Sequence, residues 1–461
     1  MGYREDERRW KRLQDMLAAE ASGKTVKPAV SQRTLFGIPS TVEQTIERIV
    51  AQDEEERRMK RMRAKHTQRI IHSIDPVFDA HSRILVLGTM PSPKSREAGF
   101  YYGHPQNRFW RVMAKLFDEP VAMTNDRRRD QMLRHHIALW DVLASCDIEG
   151  ASDASISACI ANDLSVIIDA APIEAVFCTG AKSTELYTRL CEPDTGISCV
   201  RLPSTSPANA ALKLDELVAS YKAMLPHLHE FEPPTLDVAD VVALERAIDA
   251  SGTSLSELMD RAGCSIAHRV HEGNPLARVV ILCGNGNNGG DGWVAARELA
   301  KRGHEVCLVT SRNADELKAQ PAHDAAVAAL HPLVEEGANV LVNPDEQQVE
   351  QALEAADVII DALLGTGFMG EAVKQPFDAW IALANNRRAQ GTLIVAADTP
   401  SGLNAQTGTA SSPCITADET VTMIVPKTGL VCEGAASHVG ALHVAPLAYI
   451  EPLLSDSRSQ L

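Results

Sequence analysis

Five of the nine residues from Gly284 to Gly292 are glycine, in the run Gly284-Asn285-Gly286-Asn287-Asn288-Gly289-Gly290-Asp291-Gly292. It follows the apolar stretch Val279-Val280-Ile281-Leu282 and precedes Trp293-Val294-Ala295-Ala296, which reads as the opening of a helix. Few folds send a buried strand through so many glycines into a helix. The arrangement suits a sheet edge where backbone N–H groups and a helix start approach a bound diphosphate. A glycine-rich turn alone is a weak signal. The doubled Asn287-Asn288 and Asp291 add oxygens for a ribose or a cation, more than cradling a phosphate demands.

Further buried strands follow at Val306–Val309, Val358–Ile360 and Leu393–Ala396. Two of them end in a carboxylate followed by a glycine turn, Asp361-Ala362-Leu363-Leu364-Gly365-Thr366-Gly367 and Asp398-Thr399-Pro400-Ser401-Gly402. Carboxylates at strand ends are either helix caps or groups whose acidity burial can tune. This series predicts a Rossmann-like domain over residues 236–455. A separate series, Ile84–Leu87, Ala175–Cys178 and Val200–Pro203 with helical patterns between, predicts a second α/β domain with a parallel central sheet over residues 73–230. The segment His227 to Pro234, ending in two prolines, reads as the boundary.

A length of 461 residues fits two such domains. Residues 1–72, rich in charge and poor in aromatics, read as a helical or disordered arm. The basic run Arg57, Arg58, Lys60, Arg61, Arg63 and Lys65 could meet phosphates, but the acids at 53–56 that precede it favour a solvated helix face. Beyond residue 230 there are 14 Lys+Arg against 30 Asp+Glu, so the whole net charge of -16 sits there and the front half is neutral. The ten cysteines form no C-x-x-C pair, which points to reduced thiols. No apolar run reaches the roughly 20 residues a membrane span needs, and the charged start does not read as a signal peptide. A cytoplasmic protein with no membrane association is expected.

In the front half, the strand ending at Gly88 leads into Thr89-Met90-Pro91-Ser92 and then Gly99-Phe100-Tyr101-Tyr102-Gly103-His104-Pro105-Gln106-Asn107-Arg108-Phe109-Trp110. Aromatics and amides at a strand end suit the stacking and edge hydrogen bonds of a flipped base. The loop Ser204-Thr205-Ser206-Pro207 offers hydroxyls and amides to a phosphate backbone. Taken singly, these residues could equally be core and turn. Together with Ile137-Ala138-Leu139-Trp140-Asp141-Val142, the run from about Asp75 to Leu225 resembles the hypoxanthine-DNA glycosylase branch of the uracil-DNA glycosylase superfamily. That resemblance implies excision of hypoxanthine or uracil from DNA, with Asn107 as the catalytic amide. It implies base or DNA contacts from Gly88, Tyr102, His104, Thr179, Ser204, Thr205, Ser206 and Pro207. His104 could instead shape its loop. Thr179 stands where many members carry a base-reading Asn, which leaves base preference open.

With Leu258-Met259-Asp260-Arg261-Ala262-Gly263 upstream and Val425-Pro426-Lys427-Thr428-Gly429-Leu430 downstream, the second half resembles the NAD(P)H-hydrate epimerases. The resemblance implies that Asn287, Asn288, Gly289, Gly290 and Asp291, and Gly365, Thr366, Gly367, Phe368, Met369, Gly370 and Glu371, contact the hydrated dinucleotide. It makes Asp398 the acid/base at that substrate, and Asn288, Asp361 and Ser401 the oxygen ligands of a potassium ion. NADHX or NADPHX is then the substrate, a separate NAD(P)H-hydrate dehydratase completes the repair, and a homodimer is possible. The alternative is that one domain alone is catalytic, the epimerase first, with the other a binding or scaffolding module.

Overall fold

The computed structural model describes residues 51, 67–149, 155–228 and 231–458. The basic run at 57–65 lies outside the described residues. The chain divides into two compact units, residues 1–71 with 145–160, and residues 72–144 with 161–461.

In the smaller unit, β1 (Thr67–Ile71) pairs antiparallel with β4 (Leu143–Glu149), Ile70 opposite Cys146, and β5 (Ser157–Ala161) adds a third strand on the other side of β4. The sequence reading assigned Thr67–Ile71 to the arm. Its alternation is masked because only Ile70 is buried, so one apolar side chain carries the signal.

The larger unit contains both predicted sheets. The first has four parallel strands in the order β3-β2-β6-β7, where β2 is Ile84–Gly88, β3 Ile137–Asp141, β6 Ala175–Thr179 and β7 Cys199–Leu202. β2 is buried along its whole length, as a strand covered on both faces must be. Helix Phe109–Phe117 turns Phe109, Trp110, Val112 and Met113 into this core.

The second sheet has seven parallel strands in the order β10-β9-β8-β11-β12-β13-β14. These are β8 (Arg278–Cys283), β9 (Glu305–Thr310), β10 (Asn339–Val342), β11 (Val358–Ala362), β12 (Leu393–Ala397), β13 (Glu419–Met423) and β14 (Ala441–Ala445). The order reverses between β8 and β11, which makes a crevice beyond their carboxyl ends. The helix expected from Trp293 begins earlier, at Asn287, so its first turn lies inside the glycine run. Gly289 has no room for a side chain: a Cβ there would lie 2.0 Å from the Gly284 carbonyl oxygen.

The two sheets are tied by charge. Arg127, on the helix Asn125–Arg134, binds Glu257 at 2.7 Å and Asp260 at 2.5 Å, and Arg261 returns a 2.5 Å bond to Asp130. Among the described residues no helix is long and apolar enough to cross a membrane.

Candidate functional site

The richer site lies at the carboxyl ends of β8, β11 and β12. Gly284 closes β8 against the neighbouring loop, its N–H bonding the Ala362 carbonyl at 2.9 Å. A Cβ at Gly284 would lie 1.8 Å from the Leu363 carbonyl oxygen. This contact brings the glycine turn onto the Asp361 strand end.

Asn288 donates through Nδ2 to the Leu364 carbonyl at 2.8 Å, which leaves its Oδ1 buried without a partner among the described residues. Asp361 is fully buried and accepts from Ser401 N at 2.7 Å, Ser401 Oγ at 2.5 Å and Leu363 N at 3.3 Å. Burial outweighs those bonds and pushes its carboxyl up to about 6. No Lys or Arg pairs with Asp361 among the described residues. Asn288, Asp361 and Ser401 therefore meet around the Leu364 backbone, because Ser401 Oγ also accepts from Leu364 N at 2.9 Å.

Asp398, at the end of β12, has φ 60°, a left-handed conformation uncommon for a residue with a Cβ. Lys427 explains how its side chain is held. Only 1% exposed, Lys427 donates from Nζ to Asp398 Oδ1 at 2.5 Å, Thr422 Oγ1 at 3.0 Å and the Met423 carbonyl at 2.9 Å. Asp398 Oδ1 also accepts from Met423 N at 3.1 Å. Asp291, in the first turns of the glycine-run helix, is buried nearby. Desolvation, then the charges of Asp398 and Glu245, hold its carboxyl well above the usual range, against a lowering by Lys427. Glu245 is raised in the same way, first by burial and then by Asp398. Three carboxylates and one ammonium thus share this end of the sheet.

Sequence reasoning did not single out Lys427 or Glu245 as site residues. A lysine two residues after the buried Val421–Val425, separated only by Pro426, is a usable signal. Glu245 sits on a helix among the buried Val241, Leu244 and Ile248, with nothing to mark it. Gly365 packs its Cα side against Asn288, and Phe368 N bonds the Gly365 carbonyl at 3.0 Å. Met369 is 75% exposed, and Gly370 and Glu371 are exposed too. Thr366 to Glu371 therefore form an open loop, with no bond to Asp398 among the described residues.

In the other sheet, Tyr102 stacks on Phe109 with ring centroids 3.8 Å apart, and its hydroxyl meets Thr179 Oγ1 at 3.2 Å. Thr179 Oγ1 also donates to the Leu87 carbonyl at 3.2 Å. Asn107 Oδ1 accepts from Phe109 N at 3.0 Å, which fixes that end of the amide as the acceptor. Arg108 bridges to the second loop: its N–H bonds the Thr205 carbonyl at 3.1 Å, and its guanidinium reaches the carbonyls of Leu212, Ser206 and Asn209. Asn107 and the Ser204–Pro207 loop are thus held side by side. Ser204 Oγ accepts from Ser206 N at 3.2 Å, and Ser204 packs against Gly180. His104 Nδ1 accepts from Gln106 N at 3.1 Å, a bond that shapes its own loop. Gly88, at the end of β2, faces Asp141 and Tyr102.

Comparison with known proteins assigns both halves. The family described as YjeF-related protein N-terminus matches residues 255–429, and the uracil DNA glycosylase superfamily matches residues 76–228. An NAD(P)H-hydrate epimerase of Rhodopirellula baltica is 35% identical over 189 residues, 41% of this chain and 72% of that protein. The chain belongs to the NAD(P)H-hydrate epimerase family. Residues 76–228 add to it a domain of the uracil DNA glycosylase superfamily. Bifunctional NAD(P)H-hydrate repair enzymes match over the same half. That of Moorella thermoacetica is 38% identical over 43% of this chain, and that of Escherichia coli 39% over 43%. The chain spans 37% and 36% of their lengths. A solution structure of a candidate uracil DNA glycosylase from Methanosarcina acetivorans is 27% identical, with TM-score 0.30, over 34% of this chain and 99% of that one.

Proposed function

We propose that the chain is a bifunctional repair enzyme that interconverts the R and S forms of hydrated NAD(P)H and excises hypoxanthine or uracil from DNA. The observation that carries the first activity is the buried Asp398–Lys427 pair at the mouth of the glycine-run crevice. Epimerisation at the carbon bearing the hydroxyl needs a proton donor as water leaves and an acceptor as water returns from the other face. Asp398 serves both steps, and Lys427 keeps the carboxylate aimed. Asn287 to Asp291 and Gly365 to Glu371 surround the dinucleotide, with the helix start facing its diphosphate. NADHX and NADPHX are the substrates, and a separate dehydratase acts next.

A potassium ion fits the residues present. Asn288 Oδ1 is a buried carbonyl oxygen with no partner, and Asp361 is a buried carboxylate with no cationic neighbour among the described residues. Both needs are met by one hard monovalent cation held with Ser401. Bound there, the ion supplies positive charge beside the nucleotide. Asp361 and Ser401 meanwhile fix the loop after β11 against the loop after β12.

The second activity rests on the Tyr102–Phe109 stack beside Asn107 and the Ser204–Pro207 loop. Asn107 acts through its amide, Tyr102, Gly88 and Thr179 border the base, and Ser204 to Pro207 receive the DNA backbone. His104 holds its loop.

The purified chain is assayed on R-hydrated cofactor, with an S-specific dehydratase as readout, and on oligonucleotides carrying hypoxanthine or uracil. Asp398→Asn should remove only the first activity and Asn107→Ala only the second. A wild-type chain active in one assay alone leaves the other domain as a binding module.

A further inference from the structure

Hydrolysis of an N-glycosidic bond releases a proton from the attacking water, and that proton needs an acceptor. Asn107 cannot take it, because an amide is not a base at neutral pH and its oxygen already accepts from Phe109 N. We propose that Asp141 accepts this proton, with His72 as its positioning residue. The assignment rests on the glycosylase reading of residues 76–228.

Asp141 ends β3 in register with Gly88, the last residue of β2. A Cβ at position 88 would lie 2.1 Å from Asp141 Oδ1 and 3.9 Å from the Tyr102 hydroxyl. Glycine at 88 is therefore what lets the carboxylate lean across the strand end toward the aromatic stack. The other carboxylate oxygen, Oδ2, meets His72 Nε2 at 3.0 Å, both side chains nearly buried. His72 Nδ1 accepts from Ile74 N at 3.3 Å, so Nε2 is the ring nitrogen that donates a proton to Asp141. His72 thus orients the carboxylate. Among the described residues no lysine or arginine pairs with Asp141.

Burial, opposed by the His72 bond, raises the Asp141 carboxyl above its ordinary range, which makes it a stronger base than a solvated carboxylate. In the step, the water oxygen bonds to the anomeric carbon as the carbon–nitrogen bond breaks. The bonding pair leaves with the base. The water proton passes to Asp141 Oδ1 and then to the departing base or to solvent.

Base excision is measured with the full chain in single turnover between pH 4 and 9. The substrates are hypoxanthine- and uracil-containing oligonucleotides. Asp141→Asn should slow cleavage by about 10²-fold or more. Its epimerase rate, melting temperature and affinity for an oligonucleotide with a non-cleavable 2′-fluoro deoxyinosine should stay at wild-type values. The wild-type rate should fall with acidification on a limb above the ordinary carboxylate range, and the Asn variant should lack it. The titratable groups facing Asp141 are His72, Tyr101 and Tyr102. Burial raises both tyrosines, so neither supplies the limb. His72→Ala should move the limb, and His72→Gln, which still donates a hydrogen bond, should recover part of the rate.

Cleavage by Asp141→Asn within threefold of wild type overturns the assignment and leaves the glycosylase reading standing. If that variant does not fold, a wild-type rate independent of pH down to 4 overturns it instead. A wild-type chain inactive on both bases overturns the glycosylase reading, and this assignment with it.

Discussion

Replacing Lys427 by methionine removes the cation that faces the carboxylate cluster at the epimerase crevice and keeps the side chain's length. The loss can be worked from its surroundings. Nζ makes three hydrogen bonds, to Asp398 Oδ1, Thr422 Oγ1 and the Met423 carbonyl, from a side chain only 1% exposed. Removing one partner of a buried pair leaves an uncompensated charge and costs about 3–5 kcal/mol. With a urea m-value of roughly 2 kcal/mol per M, the midpoint falls by about 1.5–2.5 M. The sign of the pH dependence is fixed as well. Asp291 and Glu245 are carboxyls raised by burial and by Asp398, so the folded state binds protons more tightly than the unfolded chain. Their cost is fully present at high pH and relieved as pH falls through their folded values. The variant's deficit should therefore shrink from pH 8 to pH 5. Urea unfolding of the full chain at both pH values, with hydrogen exchange on the β12 and β13 amides to localise the loss, reads this out. Adding Asp398→Asn should recover most of the stability, because the pair is coupled. A deficit under 1 kcal/mol at pH 8, or one that grows on acidification, refutes the reasoning.

Gly284→Ala places a methyl 1.8 Å from the Leu363 carbonyl oxygen. Overpacking against backbone should cost about 3 kcal/mol and lower the melting temperature of that half by roughly 6–12 °C, seen by calorimetry. Gly88→Ala drives a Cβ into Asp141, so it should depress base excision at least tenfold in an oligonucleotide assay and leave epimerase turnover unchanged. Potassium should raise the melting temperature at pH 8 more than sodium does. Asp361 is pushed up to about 6 by burial, so below that pH a proton takes the cation's place, and the potassium effect should fade between pH 7 and 5. An effect independent of pH would remove Asp361 from the cation site.

Both sheets were legible because their strands are apolar on both faces, as parallel strands between helices must be. β2 and β11 are buried at every position, and a run such as Ile84-Leu85-Val86-Leu87-Gly88 has few other uses. β10, β13 and β14 were not anticipated: β10 and β14 are half-exposed edge strands, and β13, though buried, reads Glu419-Thr420-Val421-Thr422-Met423, so no apolar run announces any of them. The strand ends at Asp361, Asp398 and the glycine run were legible because local chemistry marks them, a carboxylate or a glycine where an apolar run stops. What supports those groups was not. Lys427 reaches Asp398 across 29 positions of chain and His72 reaches Asp141 across 69, and no periodicity reports a partner chosen by tertiary packing. The two cases share a physical origin. A carboxylate can stay buried at a strand end only if something polar is buried with it, so each legible acid implies a hidden donor. For Asp398 that donor is an ammonium, which supplies charge. For Asp141 it is an imidazole whose Nδ1 is held by Ile74 N, so that Nε2 points its proton at the carboxylate.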